Sequence, residues 1–348
     1  MPDSNASIAT SRSSFRHRLI EWFDLHQERL WWLHSLYALI LGVAIMWLGK
    51  RNFYFLRLVV FHISFIWLSS LFLPKLLNHP RFPARWAPRL RLVVNFLNKN
   101  LYQQMLFFVL PIYYASATLG SRNIIFVILI GLSATFSTLD VIYDRHLSAK
   151  RGLTATFFAF NLFALINVML PILWSVGNTL TTRVSAALAF LGFLSLYYPT
   201  SQSKIRRRAL AFGIGILIFG LVESGRLFIP PAPLRLASVE FGREFDKDSL
   251  RVVSPLTELQ PNQPLRLYGV ASIKAPLGLT ERVRHRWYEN GKVIFASPFY
   301  NMAGGREEGF RLWTSFSFKT LAPGTKLRLD LETEGGQLIG RAGLKMAG

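Results

Sequence analysis

Apolar residues run in long unbroken blocks before Pro230 and in alternation after it. The blocks cover approximately residues 30–48, 53–73, 101–119, 124–142, 153–174, 184–199 and 209–229. Each approaches the roughly 20 residues that a helix needs to cross a bilayer. Continuous runs point to helices, because membrane barrel strands alternate apolar and polar positions. The pattern therefore predicts an all-α membrane bundle of seven transmembrane helices over 30–229, behind a polar, basic segment over 1–29.

Beyond "RLFIPPAPLRLA" the period changes. Pro230, Pro231 and Pro233 cannot continue a helix and give an extended exit. "KLRLDLE" then alternates, with Leu327, Leu329 and Leu331 on one side and Lys326, Arg328, Asp330 and Glu332 on the other. "RLWTSFSFK" and "LRLYGVASI" repeat the pattern. One buried and one solvated face is the mark of an antiparallel sheet. Residues 230–348 are expected to form an all-β antiparallel sandwich, immunoglobulin-like in layout.

Within that region "RVRHRWYENGKVIFA" reads as a hairpin turning at Asn290-Gly291, residues that accept the positive φ of a two-residue turn. Alternation places Val283, His285 and Trp287 on one face, and Arg284, Arg286 and Tyr288 on the other. A regular register would set Trp287 against Ile294 and Arg286 against Phe295.

Composition supports the division. Hydrophobic residues make up 51% of the chain and charged ones only 17%, against about 25% charged in average soluble domains. The net charge of +21 would suggest nucleic acid in a soluble protein. Here most of the excess lies before Pro230 and alternates between connections. Arg12, Arg16, Arg18 and Arg29, then Lys75 to Lys99, then Arg145, Lys150 and Arg151, then Lys204, Arg206, Arg207 and Arg208 all fall on one side. That side is cytoplasmic by the positive-inside rule. The expected location is a bacterial inner membrane, with the N-terminus inside and the β-domain in the periplasm. The expected partners are the lipid bilayer, anionic lipid at the basic loop Lys75 to Lys99, and an envelope glycan or protein, with nucleic acid excluded.

The chain has no cysteine, which removes disulfides, thiolate nucleophiles and Cys-based zinc sites. No phosphate loop, dinucleotide glycine pattern or HExxH motif occurs, so no cofactor or metal is expected. The candidate ligand-binding residues are Trp313 and Arg311, which share the polar side of their strand with Ser315 and Ser317, together with Arg284, Arg286, Tyr288 and His285. An outward Trp beside Arg and hydroxyls can stack a sugar or peptide, or anchor at a membrane interface. His285 reads foremost as a core histidine. In the helical half the polar candidates are His62, Asn161 and Asn167 near mid-span, and Glu223 with Arg226, three apart on one helical face.

The hairpin residues also carry a resemblance. His285-Arg286-Trp287-Tyr288 with Gly291-Lys292, then Arg311-Leu312-Trp313-Thr314-Ser315, then Leu321-Ala322-Pro323-Gly324, resemble the bacterial domain of unknown function 2914 over about residues 235–345. Lys326 stands where that domain often has a Trp. The helical half resembles an uncharacterised proteobacterial membrane module. The resemblance implies a bacterial envelope location and supplies no activity. The expected function is non-enzymatic: the β-domain binds an envelope component or partner protein, and the helices anchor it and relay a signal. The alternative is a membrane enzyme or a small-solute or lipid transporter, which a cavity lined by His62, Asn161 and Asn167 would favour.

Overall fold

The structure, a computed structural model, describes residues 105–138, 150–197, 203–260, 265–319 and 321–346, with isolated helical positions between 25 and 61. Apart from those isolated positions, the spans expected over 30–48 and 53–73 lie outside the described residues, as do the loop Lys75 to Lys99 and His62.

The described helices are α1 (Met105–Ser116), α2 (Ile124–Thr138), α3 (Arg151–Trp174), α4 (Asn178–Leu196) and α5 (Lys204–Ser224). A seven-helix bundle does not describe them. Among the described residues, only Gly152–Trp174 within α3 and Asn178–Leu196 are long and apolar enough to cross a membrane. The reason is electrostatic in α5, where Lys204, Arg206, Arg207 and Arg208 occupy the first turns and shorten its apolar length.

Helices α3 and α4 form a tight antiparallel pair. Ser175 takes a left-handed conformation (φ 56°) that closes α3, and Gly177 starts α4. The register runs Asn167 to Thr182, then Leu162 and Phe158 to Gly192. Glycine permits the approach: a Cβ at residue 192 would stand 2.7 Å from Leu162 Cδ2 and 2.9 Å from Phe158 Cε1. Helix α5 runs back along α4, with Gly215 under the Phe190 ring and Glu223 beside Arg183. Tyr113 of α1 donates its hydroxyl to the Ala164 carbonyl of α3 (3.0 Å) and meets Phe126 of α2 edge-on.

A 3-10 turn, Arg226–Phe228, and the proline run lead into the β-domain. Its strands are β1 (Arg235–Gly242), β2 (Phe245–Asp246), β3 (Arg251–Val252), β4 (Glu258–Leu259), β5 (Leu265–Lys274), β6 (Thr280–Glu289), β7 (Lys292–Ala296), β8 (Tyr300–Ala303), β9 (Phe310–Phe318), β10 (Lys326–Thr333) and β11 (Leu338–Met346). They form a three-stranded sheet β1-β5-β9, a six-stranded sheet β4-β11-β10-β6-β7 with β8 also on β6, and a β2-β3 hairpin. The wholly antiparallel, immunoglobulin-like arrangement is corrected here. The larger sheet is mixed, because the short strand β4 joins its edge parallel to β11.

The two larger sheets share a core. Trp287 and His285 of β6 are fully buried, and Trp287 meets Phe241 and Phe318 edge-on. Asn290 (φ 48°) and Gly291 (φ 84°) form the hairpin turn, with Glu289 opposite Lys292 and Tyr288 opposite Val293. Past Tyr288 the register slips by one residue, so Trp287 faces Phe295 and Arg286 faces Ala296. One extra residue on β7 makes this a bulge, which alternation within β6 alone cannot reveal.

Candidate functional site

Strands β6, β10 and β11 lie side by side, and their outward residues form one surface. Register sets Tyr288 against Arg328, Arg286 against Asp330 and Arg284 against Glu332; on the far side Asp330 faces Arg341. Alternation thus puts two carboxylates between four guanidiniums. Glu332 takes Arg284 through a close ion pair and Arg286 at 3.2 Å. Asp330 takes Arg341 through two parallel bonds of 2.8 and 2.9 Å and Arg328 at 3.2 Å. The acid side chains are only 8% and 5% exposed, whereas the four arginines keep 27–32%. The carboxylates form the floor and the guanidiniums the surface. Asp330 holds the Arg341 guanidinium above its ordinary pKa against the opposing effect of burial.

Aromatic rings complete the surface. The Arg328 guanidinium carbon lies 3.9 Å from the Tyr288 ring centroid, and that of Arg284 lies 4.5 Å from the Phe299 centroid. Cations over ring faces gain about 0.5–1 kcal/mol at exposed sites. Arg282 continues the row, paired to Glu334 and 5.5 Å from the Phe299 centroid.

The other sequence candidates are dispersed. His285 points inward. Its Nδ1 lies 2.9 Å from Thr314 Oγ1, which also accepts the Trp287 Nε1 hydrogen at 2.9 Å. Its Nε2 has no partner, and burial pushes the imidazole down to about 3, so the ring is neutral at ordinary pH. Trp313 and Arg311 lie on the outer face of the three-stranded sheet, away from Arg284 and Arg286. The Trp313 ring packs against Phe245 (centroids 4.6 Å) and Tyr268, so part of the expected platform is already covered. Arg311 is held by the Ser249 carbonyl and Glu308.

In the helices, Asn167 is satisfied: its amide donates to Tyr113 Oη (3.1 Å) and accepts from Thr182 Oγ1 (3.3 Å). Asn161 is buried with both amide atoms unpartnered. Glu223 pairs with Arg183 (2.8 Å) and with Arg226 (3.3 Å). Among the described residues, no group of His, Asp and Glu is placed to hold a metal ion.

A feature that sequence alone did not single out joins the two parts of the chain. Glu281 of β6 accepts the Asn178 backbone N–H at the first turn of α4 (2.6 Å). The Asn178 amide donates to Gln337, in the β10–β11 connection, and the Gln337 amide donates to the Ile229 carbonyl (2.9 Å). Ser175 donates to the Leu277 carbonyl (3.0 Å) and Asn123 to the Leu338 carbonyl (3.1 Å). Asn178, Glu281 and Gln337 are all buried. Burial raises the Glu281 carboxyl above its usual range, against the pull of the Asn178 N–H. The bonded partners lie over a hundred positions apart, and only Asn178, just before an apolar run, carries a local signal, that of a helix start.

A family model described as a family of unknown function, DUF5924, matches residues 12–270. The chain belongs to this family. The match corrects the resemblance to domain 2914, since it covers the helical part and runs only into β5. In β6 the HRWY stretch alternates, with His285 and Trp287 buried and Arg286 and Tyr288 half-buried. No curated protein matches this DUF5924 member. Among solved structures, an alkylpurine DNA glycosylase of Pseudomonas fluorescens, bound to DNA containing an abasic site analog, aligns at 12% identity. It covers 77% of this chain and 83% of its own, with a TM-score of 0.23, which carries no argument. The partner set expected from the sequence is likewise corrected. Neither lipid in general, nor anionic lipid at Lys75 to Lys99, nor an envelope glycan or protein, nor the exclusion of nucleic acid is supported by the comparisons.

Proposed function

We propose that this chain is a membrane-held binding protein. Its helices fix the β-domain in one orientation, and the outer face of β6, β10 and β11 meets the ligand. The observation that carries the reading is the buried seam through Asn178, Glu281 and Gln337. A flexibly tethered domain would leave such groups to water. Here they are withdrawn from it and paired across the boundary, an arrangement that is costly to break. The seam uses the turn end of the α3–α4 pair, so the arginine-bearing face is left open. Binding is favoured over catalysis because Asp330 and Glu332 each hold two arginines. They are placed to fix cations and not to move protons.

The topology proposed with this reading lets α3 and α4 cross the membrane. The basic start of α5 then lies in the cytoplasm, and the α3–α4 turn lies with the β-domain on the other side. Helix α5 returns to that side packed along α4. The chain has no native cysteine, so a single introduced thiol reports its own side. In intact cells a membrane-impermeant maleimide is expected to label Lys292→Cys, at the hairpin turn. It is expected to label Lys204→Cys only after permeabilisation. The reverse pattern overturns the reading.

A further inference from the structure

We propose that the arginine face of β6, β10 and β11 binds an extended chain of phosphate groups. This rests on the reading of the β-domain as a binding module and names the ligand class for its open face.

Four observations converge. First, the face has a surplus of fixed positive charge: Arg284, Arg286, Arg328 and Arg341 stand over two carboxylates. Second, the arginines are already ordered by those acids and by the Tyr288 and Phe299 rings. A ligand therefore spends little on immobilising long side chains, the usual entropic cost of an arginine site. Third, the acids engage only part of each guanidinium, which carries five N–H donors. Fourth, the face is an open sheet, so its ligand is extended.

Spacing and chemistry select phosphate. Arg284 and Arg286 are two residues apart on one strand, about 7 Å at strand rise, and neighbouring strands stand about 4.8 Å apart. A ligand presenting one anion every few ångströms can meet several guanidiniums at once. It must do so beside carboxylates that already compete for them. Phosphate matches arginine's planar fork as a carboxylate does, and brings more acceptor oxygens to the donors that the acids leave free. Each phosphate engaged also releases condensed counterions, so binding weakens with salt.

The test uses the full-length protein in nonionic detergent and fluorescently labelled long-chain inorganic polyphosphate, read by anisotropy. The wild-type chain is expected to bind with an affinity that falls as salt rises. Arg284→Gln/Arg286→Gln combined with Glu332→Gln removes the cations without stranding their buried acid, and is expected to weaken binding at least about tenfold. Glu332→Gln alone frees both guanidinium forks and is expected to tighten binding. Lys247→Gln, an exposed charge change elsewhere in the domain, is expected to have little effect. The inference is overturned if polyphosphate does not bind, if Lys247→Gln costs as much as the triple variant, or if Glu332→Gln weakens binding. It is equally overturned if polyglutamate binds as tightly through the same arginines, or if a single-stranded oligonucleotide binds more tightly, which would make the face a nucleic-acid site. None of these outcomes bears on the seam or on the labelling pattern of Lys292→Cys and Lys204→Cys, so the membrane-held arrangement stands or falls separately.

Discussion

Trp287→Ala is expected to destabilise the β-domain by about 3–5 kcal/mol, the range for truncating a buried aromatic. The Trp287 side chain is fully buried. Its ring meets Phe241 and Phe318 edge-on, and its indole N–H is spent on Thr314 Oγ1. Truncation leaves a cavity between the two sheets and also releases Thr314 from one partner. Trp313→Ala is expected to cost far less, because Trp313 is 37% exposed and packs on the outside of its sheet against Phe245 and Tyr268. Denaturation of both variants, followed by near-ultraviolet circular dichroism, checks the ordering. A larger loss for Trp313→Ala would place the core on the opposite face.

Acidification is expected to weaken the same core. Burial holds His285 down to about 3, while an unfolded histidine titrates near 6.5. Below pH of about 6.5 the unfolded chain takes up a proton that the folded chain refuses. The stability that neutral His285 contributes is therefore complete above that pH and is lost as pH falls toward 3. The loss is roughly 1.4 kcal/mol per pH unit within the window. Glu281 works in the other direction. Its raised carboxyl pKa favours the folded state in acid and costs stability as pH rises past the unfolded value. The two are separable by substitution. His285→Leu is expected to flatten the acid limb of a denaturation series between about pH 6.5 and 4. An acid limb of unchanged slope in that variant would show that His285 is not its source.

The residues of β6 show what the sequence makes legible and where it stops. Alternation within one strand separates Val283, His285 and Trp287 from Arg284, Arg286 and Tyr288, because side-chain direction in a strand is a local property. The partners of those side chains are not local. Arg286 meets Asp330 and Arg284 meets Glu332 only because β10 pairs with β6 in one particular register. From the sequence, "KLRLDLE" looks like a solvated strand face, although Asp330 and Glu332 are among its least exposed charged residues. The bulge after Tyr288 is lost for the same reason, since it is a property of the pair β6–β7. Hydropathy likewise finds apolar runs but not their lengths as helices, and the run expected over 184–199 starts six residues earlier, at Asn178. The polar first turn that hydropathy discards is the part of α4 that holds Glu281.

The central claim is that the seam makes the helices and the β-domain one unit. The most direct test is a distance distribution between two spin labels in the full-length protein, one at Leu188→Cys on α4 and one at Lys292→Cys at the hairpin turn. The absence of native cysteine leaves these as the labelled sites. A single narrow distribution is expected, broadened when Asn178 and Gln337 are both changed to Ala. A broad distribution in the otherwise native chain, unaltered by those two changes, would contradict the account.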